Sequence, residues 1–191
     1  MWDYLVPDGM VFTDCQISGP IIFAGNLTPH KVGWLYDRAI RRPPVLLYGT
    51  DHDASRDPDK GDRFISSFDP NTPPFVGPVG WGLVWDGTKA GQEGGAGDYE
   101  TINQPHKFSL YLACGIPVIV WDQSHVATLV QKYGLSICVP RLESIPEAIC
   151  NVTPADYEAA RHAAMKVVDQ LRRGHFLNVA LDTAFRDRGE N

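Results

Sequence analysis

The sequence predicts an α/β fold built on one doubly wound parallel sheet. Three observations point there. Short β-rich apolar runs alternate with helical or polar segments along most of the chain. Several of those runs stop at glycine or Asp-Gly, as strands ending in a tight βα turn do. One of them, Ile116-Pro117-Val118-Ile119-Val120-Trp121, is apolar without interruption, the pattern of a strand covered on both faces.

Taken in order, residues 1–19 read as a connector with no sustained period, and the sheet domain as residues 20–175. Pro20-Ile-Ile-Phe-Ala-Gly25 is the first strand. Gly25-Asn26-Leu27-Thr28-Pro29 follows it, which predicts a helix with Thr28 as N-cap and Pro29 in its first turn. Val32, Leu35, Tyr36 and Ala39 would share its apolar face, and Arg41-Arg42-Pro43 would end it. Pro44-Val-Leu-Leu-Tyr48 is the second strand, stopping at Gly49, and a third lies near Arg63 to Phe68. Residues 69–80 are too rich in proline and glycine for a helix. Trp81-Gly-Leu-Val-Trp85 is a buried strand ending at Asp86-Gly87. Five glycines among the sixteen residues from Gly87 to Ile102 predict a mobile loop. Asn103-Gln104-Pro105 opens a helix with apolar Phe108, Tyr111 and Leu112, closed by Gly115. After the strand at 116–121 come a helix near Ser124–Lys132, a strand Leu135–Val139 and a helix Leu142–Cys150. A long amphipathic helix runs from Pro154 to about Arg173, and Gly174 separates it from a helical tail over 176–191.

Composition narrows the function. At 191 residues the chain suits one sizeable domain, and no run nears the ~18–20 apolar residues of a membrane span. Asp3 and Asp8 stand where a secretory leader would carry cations and an apolar core. A net charge of −6 argues against a nucleic-acid surface. The four cysteines have no metal-type spacing, so a reduced, cytoplasmic chain is expected.

In open α/β sheets ligands bind beyond the carboxyl ends of the strands. Those ends are Gly25-Asn26-Leu27, Tyr48-Gly49, Asp86-Gly87 and Trp121-Asp122. The helix starting Asn103-Gln-Pro-His-Lys107 offers free N–H groups and a positive dipole end, with a lysine one turn in. Asn103 would cap it, and His106 and Ser109 would donate to phosphate oxygens. The plainer alternative is that Asn103 is only a cap and Lys107 only solvated.

PHKFSLYLACGIPVIVWDQS resembles the donor-binding segment of nucleotide-sugar glycosyltransferases with two Rossmann-like domains, the GT-B architecture. More narrowly, FAGNL, WGLVWDG and NQPHKFSLYLACGIPVIVW resemble two bacterial groups. One is the glucosyltransferase group that adds a second sugar to serine-rich-repeat adhesins; the other is the β-1,6-galactofuranosyltransferases of polysaccharide assembly. The resemblance implies a UDP-hexose donor with its diphosphate on Lys107 and the helix start, assisted by Asn103. It also implies that Gly25, Asn26 and Leu27 border the phosphate and sugar, that Tyr48 and Gly49 lie against the uridine, and that no metal cofactor is needed. Two departures stand out. Leu110 and Ile102 occupy the places where many retaining members carry carboxylates for ribose and sugar. And a second domain, holding a glycan or glycoprotein acceptor, has no room in this chain. The expectation is the donor half of a hexosyltransferase, binding nucleotide sugar but turning over little alone. The alternative is a non-catalytic nucleotide-sugar-binding module or transferase subunit.

Other signals have bland readings. Asp51-His52-Asp53 matches the Asp-x-Asp metal motif of a different glycosyltransferase fold, and with Ser55, Asp57, Asp59 and Asp62 echoes a calcium loop. Arg56 replaces the glycine that loop needs, so a solvated acidic loop is expected. Gly94-Gly95-Ala96-Gly97 lacks the Gly-Lys-Ser/Thr of a phosphate loop and reads as a flexible lid or a disordered loop. The family resemblance implies that it orders over bound donor with Tyr99 stacked on it; the plainer alternative is a disordered Tyr99. The C-terminal helices are candidates for pairing between chains in a homo-oligomer.

Overall fold

The computed structural model describes residues 3–5, 13–68, 72, 75, 77–87 and 99–189. Six parallel strands form one sheet flanked by helices: β1 (Ile21–Asn26), β2 (Val45–Thr50), β3 (Arg63–Ser66), β4 (Trp81–Val84), β5 (Val118–Trp121) and β6 (Ser136–Val139). The spatial order is β3-β2-β1-β4-β5-β6, so the chain reverses its direction of winding between β1 and β4. The helices are α1 (Gly33–Tyr36), α2 (His106–Ala113), α3 (His125–Tyr133), α4 (Ile145–Cys150), α5 (Pro154–Arg172) and α6 (His175–Gly189). The α/β sheet expected from the apolar runs is the sheet observed.

The central strands are buried along their length because both faces are covered. Ile22, Phe23, Val118, Ile119 and Val120 have no solvent exposure, and Trp34, Trp81 and Trp85 fill the space around them. Helix α5 lays Tyr157 edge-on against Trp81, with ring centroids 4.8 Å apart, and the Tyr157 hydroxyl donates to the Gly80 carbonyl at 2.7 Å. Helix α2 packs between α5 and strands β4 and β5. Arg172 of α5 donates twice to the Ala113 carbonyl, at 3.0 and 2.7 Å, setting a cation at the negative end of α2. These contacts fix the helix whose other end faces the carboxyl ends of the strands.

Two elements depart from the sequence reading. The helix expected from Thr28 to the arginine pair is a single turn, Gly33–Tyr36. Local side-chain turns and donors from further along the chain claim the groups that a longer helix would use. Asn26 Oδ1 accepts from both Thr28 N and Thr28 Oγ1, and Asp37 Oδ1 accepts from Ala39 N. Arg42 donates to the Leu35 carbonyl at 3.1 Å, while Lys60 donates to Asp37 O and Ile40 O. Arg42 is itself anchored by a buried ion pair with Asp62, whose Oδ1 also accepts from Val45 N at 2.9 Å. The second departure concerns α2, which starts at His106 with Pro105 as N-cap residue and no side-chain cap. Asn103 is therefore not the cap. Its N–H bonds to Tyr99 O at 2.9 Å, and Pro105 disfavours helical backbone at Gln104.

The first described residues are tied into the domain. Asp3 accepts from the N–H groups of Phe176 and Leu177, capping α6, and Tyr4 N donates to Leu171 O. Cys15 bridges to Val79 in parallel pairing. On α6, Leu177, Val179, Leu181 and Phe185 are exposed. Among the described residues no helix is long and apolar enough to cross a membrane.

Candidate functional site

Strands β1 and β4 pair only at Ile21–Trp81 and Ile22–Gly82, then diverge toward their carboxyl ends. Tyr111 of α2 fills the fork. Its ring lies over Gly82, where an added Cβ would come within 2.5 Å of Cδ2. Its hydroxyl accepts from Ala24 N at 2.7 Å and donates to Leu83 O at 3.3 Å. Burial pushes this phenol far above its ordinary pKa, so it stays protonated and able to make both bonds.

Above the fork opens a cleft of about 500 Å³. The end of β1 supplies Ala24, Gly25 and Asn26; Lys31 comes from the following turn and Asp86 from the end of β4. Tyr99, Asn103, Gln104, Pro105, His106 and Lys107 close the far side. Of the residues expected at the site, Gly25, Asn26, Asn103, His106 and Lys107 line this one cleft. The other four lie outside its lining. Leu27 is wholly buried in the core, and Ser109 is buried within α2. Tyr48 is buried with its ring edge-on to Phe75, centroids 5.2 Å apart. Gly49 pairs with Gly25 across β1 and β2.

The lysine is tightly placed. Lys107 Nζ pairs with Asp86 Oδ1 and sits 4.6 Å above the centre of the Phe23 ring. Its stem passes Gly25, where a Cβ would stand 3.5 Å from Lys107 Cε. An ammonium has three donors, so the carboxylate leaves others for a ligand. Lys31 brings a second cation to the lining, exposed and without an ion pair among the described residues. Asn26 serves the rim itself: its amide donates to Asp51 Oδ2 at 3.0 Å, while its carbonyl oxygen holds Thr28.

Two lining residues escaped sequence reasoning. Asp86 stood out only as a strand end, because nothing in the sequence places β4 beside β1. Gln104 is 7% exposed, and its Nε2 makes no hydrogen bond among the described residues. The helix start adds the N–H groups of His106 and Lys107, while that of Phe108 is taken by the Pro105 carbonyl at 3.0 Å. Tyr99 lines the cleft and is 58% exposed; the Gly94–Gly97 cluster lies outside the described residues.

The acidic loop has local partners. Asp53 accepts from Ser55 and pairs with Arg56, and the Ser55 hydroxyl bond pulls its carboxyl below the usual aspartate range. Among the described residues no three His, Cys, Asp or Glu side chains converge to hold a metal.

An open parallel sheet with a lysine-bearing cleft at its switch point defines a Rossmann-like α/β domain by fold and geometry. Residues 21–184 match the family described as glucosyltransferase 3-like, C-terminal domain, and the chain belongs to that family. It is 27% identical over 191 residues to the β-1,6-galactofuranosyltransferase WbbI of Escherichia coli (strain K12), covering 98% of this chain and 56% of that protein. It is 28% identical over 182 residues to Glucosyltransferase 3 of Streptococcus gordonii, covering 92% of this chain and 50% of that protein. The chain thus spans about half the length of the curated relatives it matches.

Proposed function

We propose that this chain is the donor-binding half of a GT-B glycosyltransferase, taking a UDP-hexose and acting with a second domain that holds a glycan or glycoprotein acceptor. One observation carries the reading: Lys107 and the open start of α2 meet the end of β1 at the switch point of the sheet. Both relatives are named as glycosyltransferases, and about half of each matches this chain.

The chemistry follows from the charges. When the bond between the sugar carbon and the β-phosphate oxygen breaks, the departing UDP gains a negative charge. Lys107, held by Asp86 and the Phe23 ring, and the first N–H groups of α2 are donors placed before the reaction, with the exposed Lys31 beside them, so stabilising that charge costs little reorganisation. A well-placed donor of this kind contributes about 3–4 kcal/mol. The residues supply this stabilisation with no metal ion in the scheme. The sugar would extend from the diphosphate toward the open side of the cleft, where the acceptor domain approaches.

The test is calorimetric titration with UDP of the chain and its Lys107→Ala variant. Binding by the parent and at least tenfold weaker binding by the variant are expected. Equal heats from both, or no binding by the parent, would overturn the reading.

A further inference from the structure

A carboxylate inside a cleft built for anions calls for explanation. Asp86 lies at the end of β4, on the lining shared by Gly25 and Lys107, and its side chain retains 21% exposure. One oxygen is taken by Lys107 Nζ; the other, Oδ2, makes no hydrogen bond among the described residues. The pair cancels the lysine's charge and leaves Lys31 as the uncompensated cation among the described lining residues. As a plain anion trap the mouth would be stronger without Asp86.

We propose that Asp86 is a specificity-determining residue, which makes the cleft favour a sugar-esterified diphosphate over the free nucleoside diphosphate. The inference rests on the donor-site reading above. A free β-phosphate carries more negative charge than the same group esterified to a sugar, and so is repelled more strongly by a neighbouring carboxylate. A hexose placed there presents hydroxyl donors instead, which the open Oδ2 accepts in a charge-assisted bond. The same residue therefore assists release of UDP once the sugar has left. Lys107 holds the phosphate side, and Asp86 reports whether a sugar is attached.

The 191-residue chain and its Asp86→Asn and Asp86→Ala variants are titrated with UDP and with UDP-glucose, after thermal melts confirm that each is folded. The parent binds both ligands. Both variants bind UDP about tenfold more tightly, the size expected from losing one charged contact, while their affinity for UDP-glucose rises less or falls. An unchanged ratio of the two affinities in either folded variant overturns the proposal and leaves the donor site standing. So does equal weakening of both ligands, which would make Asp86 only a support for Lys107. Failure of the parent to bind either nucleotide overturns both readings.

Discussion

The Tyr111 hydroxyl stands 2.7 Å from the Ala24 amide nitrogen, in the gap where β1 and β4 cease to pair. A parallel sheet that opens at its switch point leaves backbone groups at the fork without strand partners, and here a side chain from α2 takes them. The same helix carries Lys107 one turn earlier, on the side facing the cleft. Packing of the core and placement of the charge are thus one event: as Tyr111 seats on Gly82, the start of α2 is brought to the end of β1.

Tyr111→Phe tests this directly. The ring and its contact with Gly82 remain, but Ala24 N–H is left buried and unpaired. The expected cost is about 1–3 kcal/mol in urea unfolding at neutral pH. UDP affinity should fall as well, since β1 and α2 lose their bridge under the cleft. A variant as stable as the parent would show that the hydroxyl is not needed at the fork.

Gly49 acts at the same place from the other side. Its φ is +154°, and a Cβ there would stand 1.7 Å from the Gly25 carbonyl oxygen. Its requirement is therefore steric: it lets β2 run close beside the bend of β1 that forms the rim. Gly134, with φ +66° and nothing within 4 Å of an added Cβ, gives the comparison. Both alanine variants carry the cost of an unfavourable φ, and only Gly49→Ala adds a backbone clash. Gly49→Ala should lose about 1–3 kcal/mol more than Gly134→Ala in chemical denaturation.

Much of this was legible in the sequence, for physical reasons that differ by element. The apolar run at Val118–Trp121 reads as a strand covered on both faces, and glycines at 25, 49 and 87 fall within three residues of strand ends. Lys107 was found because a helix start after a loop advertises itself locally. The short α1 was not legible, because the donors that claim the Leu35, Asp37 and Ile40 carbonyls, Arg42 and Lys60, come from later in the chain. Asp86 and Gln104 were missed for a related reason. Their places in the cleft lining come from the order of strands in the sheet and from a proline's effect on the turn before it, neither of which is a periodic signal.

The start of α5 yields a pH prediction separable from the cleft. Thr153 and Asp156 form a reciprocal cap: Thr153 Oγ1 accepts from Asp156 N at 3.2 Å, and Asp156 Oδ2 accepts from Thr153 N at 3.3 Å and from its hydroxyl at 2.6 Å. The Thr153 hydroxyl, and then its backbone N–H, pull the Asp156 carboxyl below its ordinary value of 3.8. A carboxyl depressed in the folded state binds protons more readily when unfolded. Its contribution to stability is thus complete above the unfolded value, and it is lost as pH falls through the lower folded one. Melting the parent and an Asp156→Ala variant from pH 7 down to pH ~2 should show a gap that holds at neutral pH and closes at the acid end. The part of the gap that closes belongs to the charge, and any part that persists belongs to the geometry of the cap. A gap that stays constant over the whole range would show that the ionised carboxyl adds nothing to the helix start.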